Sequence, residues 1–223
     1  MKKFDYDLIV VGGGAAGFVS AKTANGFGKK VAMVEKRKLG GECTWFGCIP
    51  SKTLIRVSHI AQNIRNLGDY GLKSAGDIKL DTENVMSHVR SIVQKVYNGH
   101  LPEAFEKIGI KILSGEPEFL NNHQIKIGDK TVSAEKFIIA TGSSAFIPPI
   151  EGLNTIPYLI NETFFDLEKL PESMIILGGG PIGIELSQAI NRLGVETTVV
   201  EMMDRILFRE DKELADILAE HLR

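Results

Sequence analysis

The sequence predicts an α/β chain of two domains, each built on a βαβ unit, with a small β-meander inserted and the second domain incomplete. Three observations carry this. Short apolar runs ending in glycine clusters occur twice, at 6–17 and 174–183. Each leads through a helical stretch into a second apolar run that closes on glutamate, and Gly14 to Glu35 spans the same 21 residues as Gly180 to Glu201, an internal repeat. Between the two, residues 110–140 alternate short strand-like runs with turn residues.

YDLIVV (6–11) is short and apolar throughout, as a buried parallel strand should be. Gly12 to Gly17 form the turn, and a helix follows to about Asn25, with Gly26 and Gly28 as stop signals. KVAMVE (30–35) is the second strand. Pro50 is expected to open a helix on which Leu54, Val57, Ile60 and Ile64 recur at helical spacing. A second helix is expected over 82–97 and is broken by NGHLP. IKILSG, EPEFL, HQIKIG, KTVSA and KFIIATG are read as the strands of the meander. SSAFIPPIEG (143–152) is an extended connection. MIILGGG, PIGIELSQAINRLG and VETTVVE repeat strand, helix and strand, and DKELADILAEHLR is an amphipathic helix. The expected domains are 1–147 and 148–223.

The first glycine turn reads Gly12-x-Gly14-x-x-Gly17, with Ala15 and Ala16 filling the gap. The first glycine permits the tight turn, the second lets backbone approach a pyrophosphate, and the third lets helix pack on strand. The N–H groups of the helix N-terminus then face the phosphates. Glu35 is placed to accept from a ribose, and Lys36 to approach the adenosine. The second turn, Gly178-x-Gly180-x-x-Gly183 with Pro181 and Ile182, ends on Glu201. Both units are therefore read as Rossmann-like dinucleotide-binding folds. An acid at 201 disfavours a 2′-phosphate, so NADH is favoured over NADPH, although Arg205 four residues on can soften this.

Cys43 and Cys48 are the chain's two cysteines. Zinc needs about four ligands, and no cluster supplies them. A structural disulfide does not suit a reducing compartment. A redox-active pair fits best, with a helix N-terminus lowering a thiol pKa. His59, His88, His100, His123 and His221 are scattered and suggest no metal site. Trp45, between the cysteines, is either a core aromatic or a lid.

A net charge of −2 offers no argument for nucleic acid. No 18-residue apolar run suggests a membrane span, and LIVV is too short for a signal peptide. A cytoplasmic location is the default expectation.

GGECTWFGCIPSK (40–52) resembles the redox-active motif of the class I flavoprotein disulfide reductases, the pyridine nucleotide-disulfide oxidoreductase family, in which it runs G-G-T-C-x-N-x-G-C-x-P-x-K. The resemblance extends through GGGAAG, ATGS (140–143) and GGGPIGIE (178–185). ECTWFGC, PYLINETFFDL (157–167) and RILFRED (205–211) resemble the mercuric-reductase-like and dihydrolipoamide-dehydrogenase branch. The resemblance implies FAD on the first fold and NAD(P)H on the second, with a small-molecule or disulfide substrate. It implies that Cys48 is the thiol beside the flavin and Cys43 the interchange thiol. Lys52 is expected near the flavin, paired with Glu185. Gly41, Gly115, Thr141, Gly142 and Ser143 are further expected FAD contacts.

Glu42 and Trp45 depart from the family's threonine and asparagine, and Pro181 stands where a gating aromatic is common. Family members are longer, form homodimers and carry a catalytic His-Glu pair near the C-terminus. The chain is therefore expected to be a fragment or truncated product, lacking the dimerisation domain and inactive alone. Two other readings are a dinucleotide-binding module without turnover, and a monooxygenase or NADH oxidase, which the paired cysteines disfavour.

Overall fold

The structure, a computed structural model, describes residues 4–73, 76 and 79–222. The chain runs β1 (Tyr6–Val11), α1 (Ala15–Gly26), β2 (Val31–Glu35), α2 (Gly41–Trp45), α3 (Cys48–Arg65), α4 (Thr82–Asn98) and α5 (Pro102–Glu106). It continues through β3 (Lys111–Ser114), β4 (Pro117–Asn121), β5 (Gln124–Ile127), β6 (Lys130–Ile139) and α6 (Asn161–Phe164). It ends with β7 (Ser173–Leu177), α7 (Pro181–Arg192), β8 (Glu196–Val200) and α8 (Lys212–His221). Arg223, expected in the last helix, lies outside the described residues.

The residues form two compact units: one runs to Pro50 and resumes over Ser91–Asp166, the other comprises Ser51–Arg90 and the chain from Leu167. In the first unit the strand order is β3-β2-β1-β6-β5-β4. β3, β2, β1 and β6 are parallel neighbours, and β6, β5 and β4 are antiparallel. Side-chain alternation divides the core in two. Leu8, Val10, Val31 and Met33 pack with Phe18, Ala21, Phe105 and Ile110 on one face. Ile9, Val11, Ala32 and Val34 pack with Ile125 and Ala134 on the other. This is why both strands read as unbroken apolar runs: helices cover one face and the meander covers the other.

Two strand expectations are corrected. IKILSG contributes β3, which pairs with β2 in the parallel sheet, not in the meander. KTVSA and KFIIATG are not separate strands but the single β6, which pairs with β5 through Lys130–Ser133 and with β1 through Ala134 and Lys136–Ile139. No turn residue interrupts it, so one strand serves both neighbours. Three short helices, α2, α5 and α6, were not expected.

In the second unit β7 and β8 form a parallel two-stranded sheet, and both strands alternate half-buried and exposed positions. α7 buries Ile184, Ser187, Ala189 and Ile190. Arg65 donates to the Arg192 carbonyl at 2.6 Å and Arg90 to the Leu167 carbonyl at 2.5 Å. α8 is capped by the Asp211 carboxylate, which accepts from the Glu213 and Leu214 N–H groups. No described helix is long and apolar enough to cross a membrane.

Candidate functional site

Gly12 leaves β1 with φ +111, a conformation open to glycine, and an added Cβ would lie 2.2 Å from the Ala140 carbonyl oxygen. A Cβ on Gly17 would lie 1.9 Å from the Gly12 oxygen. Both positions are therefore glycine for packing. Gly14 differs: its added Cβ would meet nothing closer than the Gly41 Cα at 3.6 Å. Gly14 is also the N-cap of α1 and supplies no side-chain cap, so the first-turn N–H groups are left to other acceptors. The one glycine that packing does not demand sits where a pyrophosphate would need room, which is the fit expected of a dinucleotide site. Ala15 and Ala16 are exposed beside it.

Glu35 accepts the Gly13 N–H through Oε2 and the Arg37 N–H through Oε1, both at 2.8 Å. The carboxylate is thereby fixed, and each oxygen keeps a lone pair for a hydroxyl. Gly115 donates its N–H to the Glu35 carbonyl, and its own Cβ would meet Ile127 at 2.6 Å. Lys36 pairs with Glu116 at 3.0 Å. Thr141, Gly142 and Ser143 follow β6 as an exposed strip.

The loop that bears the cysteines is bonded to this turn. Gly40 donates to the Gly13 carbonyl at 2.8 Å, and a Cβ on Gly41 would lie 2.6 Å from the Gly14 Cα. Gly40 and Gly41 both have positive φ. The two glycines of the motif thus let two backbones touch. α2 then carries Cys43, and α3 begins at Cys48. Both cysteines are thiols. Burial pushes the Cys43 thiol up, as do the hydrogen bond and charge of Cys48, while the Cys48 backbone N–H pulls the other way and the Glu42 charge pushes up again. For Cys43 this corrects the expectation of a lowered pKa. Cys43 lies within a five-residue helix and is partly buried, so desolvation outweighs the amide dipoles.

Trp45 donates Nε1–H to the Leu39 carbonyl at 2.9 Å, packs on Tyr97 at 4.7 Å and lies under Lys38. It anchors the loop and is not a lid. Lys52, one turn into α3 after Cys48, pairs with Glu185 of α7 at 2.5 Å.

The second turn repeats the first. Gly179 donates to Glu201 Oε2 at 2.6 Å and Met203 to Oε1 at 2.8 Å. The Met203 and Gly179 N–H groups hold the Glu201 carboxyl below the usual range. A Cβ on Gly183 would lie 2.1 Å from the Gly178 oxygen, and Gly180 has nothing within 4 Å. Pro181 opens α7, followed by exposed Ile182. The Arg205 guanidinium donates to the carbonyls of Leu207, Phe208 and Glu210, which ties it to its own loop.

Sequence reasoning missed one contact set. Asn161 Nδ2 donates to Glu42 Oε1 at 3.2 Å, and Glu162 pairs with Arg37 at 2.8 Å. In sequence the segment 157–167 reads only as a mark of the branch it resembles, because partners more than a hundred residues away leave no local signal. Among the described residues no group of three or more His, Cys, Asp or Glu is arranged to hold a metal ion.

The sequence matches the pyridine nucleotide-disulphide oxidoreductase family over residues 6–223. It is 32% identical to a mercuric reductase of Bacillus cereus over 98% of this chain and 34% of that protein. It is 35% identical to a dihydrolipoyl dehydrogenase of Bacillus subtilis strain 168 over 95% of this chain and 47% of that protein. Among solved structures, the Cu(II) complex of the HOCl-induced flavoprotein disulfide reductase RclA from Escherichia coli superposes with a TM-score of 0.81 at 30% identity, covering 97% of this chain and 46% of that one. The chain thus spans less than half the length of these three relatives. With its fold, its paired glycine turns and its dithiol loop, the chain belongs to the pyridine nucleotide-disulphide oxidoreductase family.

Proposed function

We propose that this chain is the nucleotide- and dithiol-bearing part of an oxidoreductase that passes electrons from NAD(P)H through FAD to Cys43–Cys48, and on to a disulfide, metal-ion or related acceptor. The observation that carries this is the contact of Cys43 with Cys48 on a loop whose Gly40 is bonded to the first glycine turn. FAD, when bound, supplies two-electron exchange between the nicotinamide and the dithiol.

The chain's own residues do the rest. The α1 N–H groups take the pyrophosphate and Glu35 the ribose, with residues 1–147 as the FAD domain. Glu201, held ionised by two N–H groups, favours NADH on the fold that opens in 148–223. Cys48 is assigned to the flavin side and Cys43 to the substrate. Burial raises the Cys43 thiol pKa, and its proton must leave before the sulfur attacks. Lys52, fixed by Glu185, places a cation one helical turn from Cys48. A homodimeric, cytoplasmic enzyme is the expected whole.

Reductive titration of the FAD-loaded protein tests this. The wild type should take up twice the electrons that Cys48→Ser takes. Equal uptake would leave the runner-up, a dinucleotide-binding module without turnover.

A further inference from the structure

Glu42, where the family carries threonine, is gripped by the segment 157–167. α6 is seated by Phe164 and Phe165, both buried, with rings edge-on at 4.9 Å. Its first two residues then reach the redox loop in two places. Glu162 holds Arg37 at the loop's entry, and Asn161 holds the Glu42 carboxylate inside it. Arg37's charge is thereby matched, and the Lys38 ammonium lies over the Trp45 ring at 4.8 Å. The residue next to Cys43 thus carries a negative charge that a neighbouring side chain keeps in place. Its field reaches the sulfur, where it adds to the effects that raise the thiol pKa.

We propose that Glu42 selects the acceptor by charge, favouring cationic disulfides of the cystamine type over anionic ones of the oxidised-glutathione type, with Asn161 as its positioning residue. The proposal rests on the dithiol reading above. The Cys43 thiolate attacks one sulfur of the disulfide, forming a mixed disulfide and releasing one thiolate. The Cys48 thiolate then attacks the Cys43 sulfur, forming Cys43–Cys48 and releasing the second. The substrate gains two electrons and the dithiol loses them, so the step is balanced without flavin.

An exposed carboxylate held by an amide contributes little to loop stability, so the alternative is a merely structural contact. Such a contact would alter reactivity toward both substrates alike. The test is the rate at which the reduced chain, mixed with cystamine or oxidised glutathione, forms Cys43–Cys48 as followed by mass spectrometry after acid quench. Dividing the cystamine-to-glutathione rate ratio of the wild type by that of Glu42→Gln cancels the intrinsic reactivities. At separations of several ångströms in water this quotient should be on the order of tenfold, and should shrink at high salt. Glu42→Asp should retain most of the preference, and Asn161→Ala should lose part of it. A bridge that forms with the same charge preference in wild type and Glu42→Gln overturns the selection and leaves the dithiol reading intact. Failure of both disulfides to produce the bridge in the wild type overturns the dithiol reading and the selection with it.

Discussion

The two glycine turns are alike in their own atoms and unlike in their surroundings. In both, the third glycine packs against the carbonyl of the first, and the glutamate closing the second strand accepts two backbone N–H groups. Around the first turn, β1 and β2 are almost wholly buried, Ala140 crowds Gly12, and the cysteine loop touches Gly14. Around the second, β7 and β8 expose every other residue, with Ile175 67% accessible, and an added Cβ on Gly178 meets nothing within 4 Å among the described residues. The repeat therefore encodes a self-contained local device. What sets the first copy apart, the cysteine loop and Ala140 packed against it, is supplied by residues outside the repeat.

The comparison is open to measurement. The largest effect is expected where the turns agree: Gly17→Ala and Gly183→Ala should each cost about 3 kcal/mol or more, since neither carbonyl can retreat. Trp45, the single tryptophan, reports on the first unit in urea melts, while circular dichroism reports on both. A loss under about 1 kcal/mol at either site would break the equivalence. A smaller effect separates the turns. Gly12→Ala and Gly178→Ala share the strain of positive φ, about 1–2 kcal/mol, but only Gly12 faces Ala140. Gly12→Ala should cost roughly 2 kcal/mol more, and equal losses would mean that the second turn is as closely covered.

Acid sharpens the second turn further. The Glu201 carboxyl is depressed in the folded chain, so its stabilisation is fully present above the ordinary carboxylate value and fades as pH falls through the lower folded value. Glu201→Gln should flatten that part of the stability-pH curve, and an unchanged slope would show that the two N–H bonds are not formed. The smallest stability effect belongs to Lys52→Met. Its pair with Glu185 is half exposed, so urea melts should move by less than about 1 kcal/mol.

Much of the frame was legible in the chain itself. The limits of YDLIVV coincide with β1, and both glycine turns lie where periodicity and punctuation put them. The parts not legible share a cause. β3 and β6 have ordinary strand sequences, but pairing is a non-local choice that alternation does not encode. α2 is five residues long and starts from two glycines with positive φ, which read as a loop. The lowered thiol pKa was expected from helix position, whereas burial of Cys43 sets the direction. The meeting of Lys52 and Glu185 was reachable only through family resemblance, since each alone reads as a solvated helix charge.

β6 has a consequence for synthesis. Its pairing with β1 joins Tyr6 to Ala134, and it delivers Ala140 to Gly12. A ribosome adding roughly 5–20 residues per second emits the glycine turn about 6 to 26 s before the strand that completes it. During that interval β1 has β2 for a neighbour but lacks β6, and half of its hydrogen-bonding edge is open. The nascent chain thus holds its earliest motif unfinished until most of the first unit has been made.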